Sequence, residues 1–419
     1  LKTDIAMCKH PVNSYAFFLF LFLYLLQPFV SAAQSYALVA DRLIDVKNRT
    51  TIEQPVVLVK DNKIVQVLSN KPVPQGYTVI NLKGNTLLPG LMDVHTHLMN
   101  NGGEYEKELY SHAPTLRVLR AVQHLRTSLY NGFTTLRDVN TEGAGFADVD
   151  LRRAVDSGYI QGPRIFASGP GIAATGQYLP FPHLQNRDLH LPSGAQMITG
   201  VTEAQRAVRN NVAQGVNWIK LFADFMTPTL HEAEIQAVTQ EAARYGIKVA
   251  AHANTPEAIA WAIGAEVASI EHGLGFTDSL FLLAKQKGVS WVPTLTAVEH
   301  QFPPEMVAMI YKKIYRAYEL QVNIVCGTDV GAFPWQINQA SEIESYVRNA
   351  GLPPMEALRT ATIHAAILLG KQEELGSVEA GFLADIIAVK GNLLQDISLI
   401  RQVVFVMKEG VICKQPVGK

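Results

Sequence analysis

Residues 88–98 read Leu-Pro-Gly-Leu-Met-Asp-Val-His-Thr-His-Leu, an apolar run opened by Pro-Gly and ended by two histidines two positions apart. On a strand, residues i and i+2 point to the same side. His95 and His97 therefore project together from the carboxyl end of a strand and can share one metal ion. A lone pair of this kind is a weak signal. It gains weight because other metal-type side chains end later apolar runs: Lys220 in NWIKLF (217–222), His252 in KVAAHAN (248–254), His272 in VASIEHG (267–273) and Asp329 in NIVCGTD (323–329). Imidazoles, an amine and a carboxylate at the ends of several strands match a (β/α)8 barrel, whose chemistry gathers at the carboxyl face.

Outward from that stretch, strands alternate with helical patterns between about 90 and 370. GFTTLRDV (132–139) follows LRVLRAVQHLRTSLYN (116–131), and GPRIFASG (162–169) is a third strand. NWIKLFAD, KVAAHAN, VASIEHG, VSWVPTL (289–295) and NIVCGTD each follow a helical pattern, which makes eight strands in all. Repeated helix–Gly–strand units imply a parallel sheet with crossovers. The fold class read here is α/β, a TIM barrel. The segment between Gly171 and Gly200, rich in Pro, Gly, His and Asn, reads as a loop over the barrel mouth.

The flanks read differently. Residues 37–68 are apolar runs broken by the turn Asp61-Asn62-Lys63, and GFLADIIAVKGN (381–392) with VVFVMKEGVICK (403–414) repeats the strand, turn, strand pattern. They are expected to form one small β-sandwich from both chain ends, over 34–88 and 371–419, beside a barrel at 89–370. Residues 1–33 read as a signal peptide. Lys9 precedes the apolar run 15–27, then come Pro28 and the small residues Ser31 and Ala33, which place cleavage after Ala33. The alternative is a retained membrane anchor. Residues 1–6, before Met7, read as upstream translation or an alternative start. The expected location is exported, periplasmic or secreted, with no stable membrane insertion once the leader is removed.

The chain has 419 residues, 48% hydrophobic, enough for a large core. A net charge of -1 gives no electrostatic case for nucleic acid. Beyond the leader only Cys326 and Cys413 remain, which is no disulfide framework, and Cys326 reads as a core residue. Asn48-Arg49-Thr50 matches a glycosylation acceptor.

Each candidate has a plainer alternative. Lys220 either becomes a carbamate that bridges two metals or stays a cation for a substrate carboxylate, since burying it charged is costly. Asp329 either ligates metal and moves a proton or caps a helix. His252 and His272 read as ligands of a second ion because they end successive strands. His112, His124, His231, His300 and His364 read as structural, and Arg137-Asp138 as an ion pair. Tyr178, His183, Asp224 and Gly171 are candidates for the substrate pocket.

Taken together, these motifs resemble the amidohydrolase superfamily, and more closely its secreted Xaa-Pro-dipeptidase-like and imidazolonepropionase-like branch. The resemblance runs from LPGLMDVHTHL through GTDVG (327–331), TATIHAAILLG (360–370) and GSVEAGFLADIIAV (376–389) to the terminal hairpin. It implies a binuclear zinc-type site: His95 and His97 on one metal with Asp329, His252 and His272 on the other, and carboxylated Lys220 bridging with a hydroxide. Three positions depart from that branch. Gln177 and Tyr178 stand where a histidine is expected, FADFMTPTLHEAE (222–234) replaces a Gly-rich loop, and His364 replaces a more usual asparagine.

The expected activity is hydrolysis of a peptide-like amide, of dipeptides or N-acyl amino acids. Asp329 serves as general base and then acid, and Tyr178 helps to hold the oxyanion. The same site also suits a lactone, cyclic amide, ester or phosphotriester, because substrate is set by the loops. A non-catalytic binding protein is the remote alternative. Zinc leads among divalent ions, with manganese, iron or cobalt also compatible. A homo-oligomer is compatible with the sequence.

Overall fold

The computed structural model describes residues 34–102, 105–178 and 193–416. From Ser35 onward the chain forms one compact unit. The leader, its cleavage site, His183 and His190 lie outside the described residues. No helix among the described residues is long and apolar enough to cross a membrane.

The chain opens with strands β1 (Ser35–Asp45), β2 (Thr50–Glu53), β3 (Pro55–Lys60), β4 (Lys63–Ser69) and β5 (Thr78–Pro89). The parallel strands follow: β6 (Leu91–Thr96), β7 (Phe133–Asp138), β8 (Arg164–Ala167), β9 (Ile172–Ala174), β10 (Gln196–Ile198), β11 (Trp218–Phe222), β12 (Lys248–Ala253), β13 (Ser269–His272) and β14 (Ser290–Val292). The chain closes with β15 (Ile386–Lys390), β16 (Val403–Lys408) and β17 (Val411–Lys414).

The two chain ends do pair. They form a single sheet in the order β17-β16-β15-β5-β1-β3-β4, with β2 beside β1. The reason is β5, which is twelve residues long and pairs with β1 on one side and β15 on the other. The halves are thus joined edge to edge through β5, while Val57, Val59 and Ile64 share one core with Phe405 and Met407. Strand alternation then gives β15 two buried faces. Ile386 and Ala388 pack with Leu38, Val57 and Phe405, whereas Ile387 and Val389 join the core of the parallel strands.

Two hairpin tips meet under this sheet. Glu409 (φ 50°) and Gly410 (φ 75°) form the two-residue turn between β16 and β17, a left-handed pair that suits a hairpin. A Cβ on Gly410 would lie 1.8 Å from the Asp61 carbonyl oxygen in the tip between β3 and β4. Gly410→Ala is therefore expected to destabilise the protein by more than about 1 kcal/mol, read as a lower denaturation midpoint.

Seven of the eight expected barrel strands form. They fall in two parallel sheets, β6-β7-β8 and β10-β9-β11-β12-β13-β14. At one seam Asn217 N–H donates to Ala167 O at 3.0 Å. At the other, residues 323–329 run as isolated bridges instead of a strand: Ile324 faces Trp291, and Val330 faces Thr96. Competing hydrogen bonds divert this eighth segment. Cys326 N–H goes to Thr360 O, and Thr328 N–H goes to the Asp93 carboxylate. Gly327 permits the close approach, since a Cβ there would sit 2.4 Å from Val292. Helices separate the strands and bury one stripe each. In Pro114–Tyr130 the stripe is Arg117, Ala121, His124, Leu125 and Ser128, the helical period.

Candidate metal centre

His95, His97, Lys220, His252, His272 and Asp329 all line one cavity of about 760 Å³. The two histidines of β6 converge on Asp329: its Oδ1 lies 3.1 Å from His97 Nε2 and 3.5 Å from His95 Nε2. Ligand atoms of the three residues lie within 4.8 Å of one another. His95 Nε2 is buried without a hydrogen-bond partner among the described residues. A buried ring nitrogen facing a carboxylate and a second imidazole suits a divalent cation. His252 and His272, from β12 and β13, sit edge to face at 4.6 Å, and His272 is 5.0 Å from His95. Lys220 is buried at the middle of β11, its Nζ 5.1 Å from the Phe222 ring.

Four backbone conformations at the site are unusual. Glu142 (φ 51°), His272 (φ 63°), Thr294 (φ 51°) and Asp329 (φ 62°) lie in the left-handed region, which β-branched and bulky residues avoid and which marks functional sites. Asp329 does not cap a helix; the next helix begins at Ser341.

The environment sets the protonation of each group. Burial, with Lys220 and neighbouring imidazoles adding to it, holds His252 well below the ordinary histidine range, and burial does the same to His95 and His272. A neutral imidazole is what a metal needs. At His97 burial is outweighed by Asp329, Glu142 and Asp138, which raise it to about 9. Burial lowers Lys220 to about 8. Asp329 is held well below the carboxylate range; burial opposes this, and His95, His97 and His272 outweigh it.

A ring of support fixes these side chains. Glu271 Oε2 accepts from His95 Nδ1 at 2.6 Å, and Glu271 Oε1 accepts from Arg137 Nη2 at 2.8 Å and from Ser269 Oγ. Arg137 also lies over the Trp218 ring at 4.5 Å. The ion pair expected at Arg137-Asp138 thus forms between Arg137 and Glu271, because alternation sends Arg137 and Asp138 to opposite faces. Asp93 accepts from His95 N–H, Thr328 N–H, Thr328 Oγ1 and Gln339 Nε2, tying β6 to the segment that carries Asp329. Thr294 Oγ1 lies 2.8 Å from His272 Nδ1, and Asn254 Nδ2 lies 3.0 Å from His252 Nε2. Asp93, Glu271, Thr294 and Asn254 escaped the sequence reading. Asp93 is two positions before His95, so the same period-two rule finds it. Glu271→Gln leaves Arg137 buried without its carboxylate, and a loss of roughly 3–5 kcal/mol is expected, measured by chemical denaturation.

The pocket candidates divide. Tyr178 lines the cavity, and its hydroxyl donates to Glu142 Oε2 at 2.6 Å; Glu142 Oε1 is 3.5 Å from His97 Nδ1. Asp224 is not on the cavity wall. Its carboxylate accepts from Asn254 N–H and Thr255 N–H at the start of the Pro256–Gly264 helix, a structural role. Gly171 gives room to Phe222, whose ring would be 2.5 Å from a Cβ there. His231 caps the Glu232–Ala243 helix, His124 stacks on Trp335, and His300 and His364 bond backbone carbonyls. Because the Tyr178 proton is directed at Glu142, Tyr178→Phe is expected to lower kcat by less than about 10-fold. A loss of about 10²–10³, as for an oxyanion donor, would return the hydroxyl to that role.

The comparisons with known proteins make this chain a hydrolase that acts on carbon–nitrogen bonds. Residues 86–413 match the model of the amidohydrolase family, and the chain belongs to that family. It is similar to ochratoxinase of Aspergillus niger, 27% identical over 411 residues that span 87% of this chain and 84% of that protein. Among solved structures it is similar to a Xaa-Pro dipeptidase with bound methionine in the active site, with 32% identity and a TM-score of 0.80, covering 90% of this chain and 99% of that one. It is also similar to a prolidase complexed with N-methylphosphonate-L-proline, with 28% identity and a TM-score of 0.81, covering 91% and 100%. These neighbours make the parallel domain TIM-barrel-type.

Proposed function

We propose that this protein is an exported, binuclear metal-dependent amidohydrolase that cleaves a peptide-like amide, of a dipeptide or an N-acyl amino acid. The observation that carries the reading is the convergence of His95, His97 and Asp329 around a buried His95 Nε2 that has no hydrogen-bond partner among the described residues. His95, His97 and Asp329 would hold one ion, His252 and His272 the second, and Lys220 as its carbamate would join them, within a closed (β/α)8 barrel. The ions, most simply zinc, supply Lewis acidity and a water ionised near neutral pH. A neutral amine is the form that adds to carbon dioxide, and lowering Lys220 to about 8 raises its neutral fraction at pH 7 by roughly 300-fold over an ordinary lysine.

Asp329 takes the proton from the attacking water and returns it to the leaving nitrogen. Glu142 and Glu271 keep His97 and His95 in place. Export rests on the leader. Cleavage after Ala33 leaves β1, which begins at Ser35, intact.

Purified mature protein is expected to bind two equivalents of divalent metal and to hydrolyse members of a dipeptide and N-acyl-amino-acid library. Two equivalents with turnover of lactones or esters alone would favour the alternative substrate class. No metal retained after reconstitution would remove the reading.

A further inference from the structure

One wall of the cavity is aromatic. Phe222 ends β11, and Phe225 follows in the loop of residues 223–230 that the sequence reading marked as a departure. Tyr178 comes from the segment after β9. Phe225 stacks on Tyr178 with ring centroids 5.0 Å apart and planes 21° from parallel. Phe222 leans on Tyr178 at 4.9 Å and on Phe225 at 5.7 Å. The wall reaches the metal-type centre, because Phe225 stands edge to face with His252 at 5.3 Å. The Tyr178–Glu142 hydrogen bond, with Glu142 beside His97, anchors it at a second point. Leu274, Ala297, Val298 and Phe302, from the segments after β13 and β14, add further apolar lining to the same cavity.

Phe225 differs from its two partners in exposure. Tyr178 and Phe222 are buried, whereas Phe225 remains 40% exposed. A large ring held by two stacked neighbours yet open to a cavity is a surface that a flat apolar group can cover, in the offset or edge-to-face geometry that aromatic pairs prefer.

We infer that Phe225 is a specificity-determining residue and that the site takes amides carrying an aryl group next to the scissile bond. This inference rests on the amide-hydrolysing reading above. Phe225 positions the ring of the substrate and is not itself one of the bond-breaking groups.

The test uses a matched set on the metal-loaded full-length enzyme: N-benzoyl-L-alanine and N-acetyl-L-phenylalanine against N-acetyl-L-alanine. The wild type is expected to favour at least one aryl member over N-acetyl-L-alanine by 10-fold or more in kcat/KM. Phe225→Ala is expected to cut that aryl value at least 10-fold more than it cuts the N-acetyl-L-alanine value. Phe225→Leu, which keeps apolar bulk and loses the flat face, is expected to fall between. Equal loss on all three substrates, or no loss on any, overturns the inference. Calorimetric binding of the same compounds separates the two layers. If wild type turns over none of them, the N-acyl-amino-acid form of the hydrolytic reading fails; a 10-fold weaker aryl binding in Phe225→Ala would then still support the aromatic wall, and unchanged aryl binding would overturn it.

Discussion

Asp329→Asn is expected to lose at least about 10³ in kcat, toward the upper end of the range for a general acid–base group, while the fold stays intact. Asp329 is the group on which both histidines of β6 converge, at 3.1 and 3.5 Å. The amide keeps the size and one acceptor oxygen, but it cannot accept a proton at neutral pH. It also removes the negative charge that sustains His97 protonation in the metal-free protein. Circular dichroism and a denaturation midpoint close to wild type would establish folding. Turnover above a tenth of wild type would dismiss Asp329 as the proton carrier and leave it a replaceable ligand.

Lys220→Met is expected to produce the second large effect, with opposite signs in activity and stability. With Lys220 as the bridge of the proposed binuclear site, metal content is expected to drop from two equivalents to one or fewer and turnover to fall by about 10³ or more. In metal-free, carbon-dioxide-free protein the same change should stabilise. Burial lowers the Lys220 pKa from 10.5 to about 8, so the folded state binds its proton less readily than the unfolded state does. The penalty is fully present below pH 8 and disappears as pH rises from 8 toward 10.5. Its size is at most about 3 kcal/mol. Methionine removes it, so the stability gap between the two proteins should be widest near pH 7 and close in alkali. A gap independent of pH would mean that Lys220 is not buried as a strained ammonium.

The convergence of His95 and His97 was legible because strand periodicity is a rule of short range: the two share a face whatever surrounds them. Glu271 was not legible, and the reason lies in the backbone. Adjacent strand residues should face opposite ways, yet Glu271 and His272 both reach the centre, because His272 leaves the strand with φ 63°. Arg137 could be recognised as an ion-pair member but not matched to Glu271, since the partner lies on another strand, 134 residues away. Asp224 sits close to Lys220 in sequence, but its carboxylate is taken by two backbone N–H groups that only the folded turn presents. The terminal strands were recognisable one by one. Their merger into one sheet depends on the length of β5 and on both of its edges being used, which no local pattern encodes.

That merger also sets a schedule. β5 ends at Pro89 and its partner β15 begins at Ile386, so one edge of the first sheet waits for nearly 300 residues to be made. At roughly 5–20 residues per second, this is on the order of 15–60 s during which an apolar edge stands without its partner. Nascent chains stalled before residue 386 should therefore be sticky and dependent on chaperones. Residues 386–414 act as the latch that ends this exposure, and small deletions there should be felt as lost yield of soluble protein before they are felt in turnover.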